Sequence, residues 1–174
     1  MLIFTDIEAG LTGVWYSAAE WGDYDNDGDY DLVITGATST STPFNPMSRV
    51  YSNSNGVFTL SVSLTGVYYG AVAWGDYDND GDLDLAMAGT STTSPYTPVF
   101  KLYRNYSGSL IDTESTLPGT YFSSLAWSDY DNDGDFDLLH SGNMGGIRST
   151  YLYINTLGSL TESGEIFTAL TNST

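Results

Sequence analysis

The chain has 174 residues, 41% of them hydrophobic, which is enough for one sizeable domain. Its net charge is −18, and the only cations are Arg49, Lys101, Arg104 and Arg148, so it offers no footprint for nucleic acid or an anionic lipid surface. It has no cysteine to report a redox compartment, and no run of about 18 apolar residues that would insert into a membrane.

Taken in chain order, Met1-Leu2-Ile3-Phe4 is shorter than the apolar region of about 7 residues that a signal peptide needs, so the start reads as a cut within a longer protein. Residues 1–16 are expected to hold an outer strand and a connection, because Phe4-Thr5 with Leu11-Thr12-Gly13 echoes Phe58-Thr59 with Leu64-Thr65-Gly66. Residues 17–21 form a first strand of small residues ending at Trp21. After it comes Asp23-Tyr24-Asp25-Asn26-Asp27-Gly28-Asp29-Tyr30-Asp31, five aspartates in nine residues. Strands are predicted at 30–35, 49–53 and 57–64. The same order then repeats with first strands at 70–74 and 123–127, second strands at 83–88 and 136–141, and third strands at 99–105 and 151–155. Outer strands follow near 108–118 and from 160 onward.

The aspartate loop returns at 76–84 and 129–137, each copy 53 residues after the last and each behind a tryptophan: Trp21, Trp74, Trp127. A period of 53 fits a four-stranded propeller blade. With no helical periodicity anywhere, the fold class is all-β, a β-propeller of antiparallel blades at 17–69, 70–122 and 123–174, preceded by the closure strand and connection at 1–16.

An isolated acidic turn explains one such loop but not three with identical spacing. Oxygen donors at alternate positions around a turning glycine suit a hard cation of calcium size. Asp23, Asp25 and Asp27 are read as side-chain ligands, Asp29 as a carbonyl ligand and Asp31 as the closing carboxylate. The same roles fall to Asp76, Asp78, Asp80, Asp82 and Asp84, and to Asp129, Asp131, Asp133, Asp135 and Asp137. An EF-hand would carry glutamate at the twelfth loop position, where this chain has Ile34, Met87 and His140. Three Ca²⁺ per chain are therefore expected, with weak dissociation constants of about 10⁻⁴ to 10⁻³ M. Because only the carbonyl of Asp82 is assigned, Asp82→Ala is expected to be nearly silent and Asp84→Ala to abolish its site.

The segment Trp74 to Leu85 resembles the calcium loop of FG-GAP/VCBS repeats, the blades of integrin-α-type propellers. The resemblance extends over all three repeats. It implies a calcium-stabilised, non-catalytic module for extracellular or cell-surface binding of a protein or glycan. An enzyme, or a carbohydrate-binding domain attached to one, is the alternative class; a purely structural self-assembling scaffold is another.

A meander places the aspartate loops on one face. The opposite face carries loops 37–47, 90–98 and 143–146 together with Trp15-Tyr16, Tyr68-Tyr69 and Tyr121-Phe122. These aromatics, with Phe44 and Tyr96 near the loop tips, are either a ligand platform or packing between blades. His140, the single histidine, takes the slot of Ile34 and Met87 and is read as a packing residue. Asn105-Tyr106-Ser107 and Asn172-Ser173-Thr174 match the glycosylation sequon, a frequent chance pattern. Since propellers typically close with four to eight blades, three blades point to self-association. Two chains give six blades; a trimer of nine lies beyond the usual range. The segment 2–13 of one chain is expected to complete the last blade of its neighbour.

Overall fold

A computed structural model describes residues 5–165 and 167. Twelve strands among them form three four-stranded antiparallel sheets. Blade 1 holds β1 (Trp15–Gly22), β2 (Asp31–Ala37), β3 (Pro46–Ser54) and β4 (Val57–Leu64). Blade 2 holds β5 (Tyr68–Gly75), β6 (Asp84–Thr93), β7 (Tyr96–Tyr106) and β8 (Ser109–Asp112). Blade 3 holds β9 (Tyr121–Ser128), β10 (Asp137–Met144), β11 (Ile147–Thr156) and β12 (Ser159–Glu162). Each sheet is a meander in sequence order, as the 53-residue period demands.

Strand alternation decides what lies between blades. Leu85 and Met87 of β6 point to blade 1, where they meet Tyr24, Val33, Val50, Val67, Val72, Trp74 and Tyr103. Ala86 and Ala88, one residue out of phase, point to blade 3 and meet Leu138, Tyr153, Phe100 and Leu102. β6 is thus buried on both faces, which explains its near-continuous apolar run rather than an alternating one. His140 is wholly buried, with Nε2 2.7 Å from the Thr120 hydroxyl and its ring 5.2 Å from Phe100, so it sits at a packing position.

Two expectations change. The turns at 90–98 and 143–146 are mostly strand: Thr93 pairs with Tyr96 and Met144 with Ile147, leaving only two-residue turns. The β-branched residues Thr90, Thr92 and Thr93 favour that extension, whereas 38–45 stays a loop in which the Thr38 and Ser39 N–H groups donate to the carbonyls of Asn45 and Phe44. Residues 5–14, in turn, form no strand. Leu11 and Val14 instead lie on Leu32, Ile34, Met47 and Tyr51, and the Thr12 hydroxyl accepts from Arg49 at 2.7 Å and from the Tyr51 hydroxyl at 3.0 Å. The edge of β11 that a donated strand would need is already occupied by β12. Within the chain, a donated outer strand would have to compete with β12 for that edge.

Candidate metal centres

Each aspartate loop joins the first strand of a blade to its second. Asn26, Asn79 and Asn132 have φ near +60°, the left-handed region asparagine tolerates, and Gly28, Gly81 and Gly134 follow at φ between 93° and 99°. That pair of turns folds the loop onto its first aspartate: Gly28, Gly81 and Gly134 donate their N–H groups to Asp23, Asp76 and Asp129 at 3.0 to 3.2 Å.

The result is three clusters of carboxylates, with oxygens within 4.8 Å of one another: Asp23, Asp25 and Asp27; Asp76, Asp78 and Asp84; Asp129, Asp131 and Asp137. One oxygen of Asp23 and one of Asp78 are buried with no hydrogen-bond partner. Buried carboxylate oxygens left this way are costly unless a cation meets them. Burial, followed by the neighbouring aspartates, raises the carboxyls of Asp25 and Asp78 above the usual range. Burial pushes Asp84 up to about 7, against the hydrogen bonds it accepts from Asn105 and Tyr77. The donor set is all oxygen, and it fits a hard cation of calcium type.

Within each loop the aspartates divide by task. Asp31, Asp84 and Asp137 are buried, and each accepts from two backbone N–H groups, one in its own loop and one at the end of the third strand: Tyr24 and Asn53, Tyr77 and Asn105, Tyr130 and Asn155. Asp27, Asp80 and Asp133 receive the N–H of Asp29, Asp82 and Asp135. The carboxylates of Asp29, Asp82 and Asp135 accept from the N–H of Asn55, Ser107 and Leu157 at 2.7 to 2.8 Å. Two of them also bridge blades: Asn26 donates to Asp82 at 2.7 Å and Asn79 to Asp135 at 2.6 Å. These bonds argue against the expectation that Asp82→Ala is nearly silent, because the Asp82 side chain ties two blades and a hairpin together.

The second centre also differs from its neighbours in charge. Arg104 places Nε 2.6 Å from Asp78 and Nη2 3.0 Å from Asp80, where the other blades carry Ser52 and Ile154. Asp80 is held below the usual carboxylate range, first by the Asp82 N–H and then by Arg104.

A further set of residues escaped sequence reading. Asn105 is fully buried; its Nδ2 donates to the carbonyls of Tyr24 at 2.6 Å and Leu83 at 3.0 Å, while its Oδ1 accepts from Gly108. Asn155 repeats the pattern on Tyr77, Phe136 and Gly158. Each asparagine thus staples one blade to the aspartate loop of the blade before it. The signal was an Asn-x-x-Gly recurring at Asn53-Gly56, Asn105-Gly108 and Asn155-Gly158. A glycan on Asn105 is incompatible with this burial; the second sequon lies outside the described residues.

On the opposite face the aromatic pairs split. Tyr68 and Tyr121 are buried, stacked on Phe44 at 5.5 Å and Tyr96 at 4.4 Å respectively, and so pack the blades. Tyr16, Tyr69 and Phe122 run as a ladder with ring centroids 4.3 and 4.6 Å apart, each from a residue with φ between 51° and 53°. Trp15, Tyr16 and Phe122 are exposed.

Three meander sheets packed blade to blade, each with an aspartate cage at the same turn, define a propeller-type repeat protein with candidate cation sites. The family model described as the FG-GAP-like repeat matches residues 23–87, from the first cage to Met87 in β6. No curated protein matches the sequence.

Proposed function

We propose that this chain is a calcium-stabilised β-propeller module for extracellular or cell-surface binding and adhesion, acting without catalysis on a protein or glycan ligand. The observation that carries the calcium reading is the threefold recurrence of an all-oxygen cage, with buried carboxylate oxygens of Asp23 and Asp78 left unpaired. When bound, calcium would neutralise the cage and tie the first strand of a blade to the second. The side chains holding it would be Asp23, Asp25 and Asp27 in the first cage, Asp76, Asp78 and Asp84 in the second, and Asp129, Asp131 and Asp137 in the third. Sites of such weak expected affinity suit calcium-rich extracellular fluid.

For the ligand, the reading rests on the ladder of Tyr16, Tyr69 and Phe122 opposite the cages, exposed at Tyr16 and Phe122 and half-buried at Tyr69, and bordered by the loop 38–45. Planar aromatic rings supply large rigid contact area at little entropic cost. Calorimetric titration should find three Ca²⁺ per chain, and chelation should lower the melting temperature. Glycan and protein arrays probed with and without calcium should then give binding that Tyr16→Ala and Phe122→Ala weaken. Melting indifferent to chelation would defeat the calcium reading, and binding indifferent to both substitutions would defeat the ligand face.

A further inference from the structure

The two ends of the three-blade arc carry the two halves of one blade-to-blade joint. Inside the arc, that joint is built twice from the same parts. Tyr24 stacks on Trp74 at 5.9 Å and Tyr77 on Trp127 at 6.3 Å, with interplanar angles of 17° and 19°. Asn105 and Asn155 donate to the carbonyls of Tyr24 and Tyr77, while Asn26 and Asn79 donate to Asp82 and Asp135. Counting 53 residues along, each part has a counterpart at an end without its mate. Tyr130 is 58% exposed where Tyr24 is 2%, and Leu139 is 40% exposed where Val33 is 0%. On blade 1, Trp21 is 56% exposed where Trp74 is 8%. Among the described residues the Asn132 amide meets no carboxylate, and Asn53 reaches only the carbonyl of Tyr30 in its own blade.

Blade 1 is shaped for a preceding blade in one more respect. Thr12 meets the Tyr51 hydroxyl as Thr65 meets that of Tyr103, at 3.0 and 3.1 Å. Residues 11–14 therefore lie where the connection from a preceding blade lies in the joint between blades 1 and 2, and they leave Trp21 uncovered.

We propose that blade 3 of one copy docks on blade 1 of a second copy, so that two chains close head to tail into a six-bladed ring. The partner of stated chemistry is the chain itself, because the mates needed at each end are those the other end displays. Tyr130 stacks on Trp21 of the second copy, Asn53 of that copy donates to the Tyr130 carbonyl, and Asn132 donates to Asp29. Heterologous contacts of this kind close when the rotation allows, and six blades fall in the usual range for propellers. One residue departs from the pattern. Gly22 and Gly75 leave room for the next blade's indole, since a Cβ there would lie 2.8 and 2.6 Å from Trp74 and Trp127, but blade 3 has Ser128. Trp21 must tilt to seat, so this joint is looser than the internal two.

Light scattering on the whole chain in calcium at tens of micromolar tests the proposal. Wild type should run at twice the 18.8 kDa chain mass. Trp21→Glu and Tyr130→Glu should each run at one chain mass with native circular dichroism. Their equimolar mixture should return a two-chain species, since one intact joint remains between the two variants. Ser128→Gly should tighten association severalfold, and Asn132→Gly, which removes the amide but adopts the left-handed turn without strain, should weaken it severalfold. A folded wild-type monomer would overturn the proposal and assign the end faces to other blades. A dimer that survives both glutamates, or that Ser128→Gly and Asn132→Gly leave unchanged, would overturn it equally.

Discussion

Replacing Asn105 by alanine tests whether the blades are held to one another by their asparagine staples. The substitution removes two donors and one acceptor while leaving the Asn105 backbone N–H on Asp84 at 2.7 Å. The carbonyl of Tyr24 loses its partner at a buried site and that of Leu83 at a half-buried one, and an unpaired buried polar group costs about 1 to 3 kcal/mol. Gly108 sits at a turn where water replaces the lost acceptor at little cost. The sum is a loss of about 3 to 4 kcal/mol. Asn53 is the internal control: it makes the equivalent bonds to Tyr30 and Gly56, but at an exposed site with no preceding blade in its own chain. Asn53→Ala should cost about 1 kcal/mol, the worth of ordinary solvated hydrogen bonds. For a chain of this size 1 kcal/mol corresponds to roughly 2 to 4 °C in melting temperature, so Asn105→Ala should melt roughly 10 °C below wild type. The assay is thermal and urea unfolding followed by circular dichroism in saturating calcium, under conditions where the chain is monomeric. Equal losses from the two substitutions would refute the argument, because they would show that the staple to the preceding blade contributes nothing beyond a local turn.

The remaining expectations follow from the cages. Asp82→Ala should destabilise the chain by about 1 to 2 kcal/mol through the lost bonds from Asn26 and Ser107, while site counting by calorimetry still finds three sites; a silent substitution would show those bonds to be worthless. Arg104→Ser, which installs the residue blade 1 carries at Ser52, should tighten calcium at the second cage by roughly two- to fivefold, the scale of exposed ion pairs. No change in titration would mean the guanidinium is displaced without cost. In chelator, stability should fall as pH rises from about 4 to about 7. Burial raises the folded carboxyl of Asp84 to about 7, so the folded state keeps a proton that the unfolded chain has released, and that contribution is lost as pH climbs through the folded value. His140 acts in the opposite direction: burial lowers it to about 4, so its contribution is present above its unfolded value and is lost on acidification. The measurement is therefore made by pH-dependent melting in the His140→Met background, which borrows the residue at Met87. Calcium should abolish the slope, and a flat chelated profile would refute the burial argument.

Repetition made the architecture and the candidate cages legible in the sequence. Three aspartate loops 53 residues apart, each after a tryptophan, determined the number of blades, the location of the acidic turn in each and the positions of most strands, because a repeated local pattern is read without knowing what packs against it. What required the tertiary structure were the relations between repeats. The staples hid because the distance from the base aspartate to its asparagine drifts from 22 to 21 to 18 residues, so the two never align at one period although they meet in space. The Asp82 carboxylate looked like a spare charge until folding brought Asn26 of another blade to it. The strand expected at 2–13 matched its counterpart in composition, yet over its described part it forms no ladder: a strand needs a neighbour's free edge, and only the fold shows that β12 holds the edge in question. Identical local sequences also end in different environments, Tyr24 buried and Tyr130 exposed, since burial depends on the presence of the next blade and not on the residue.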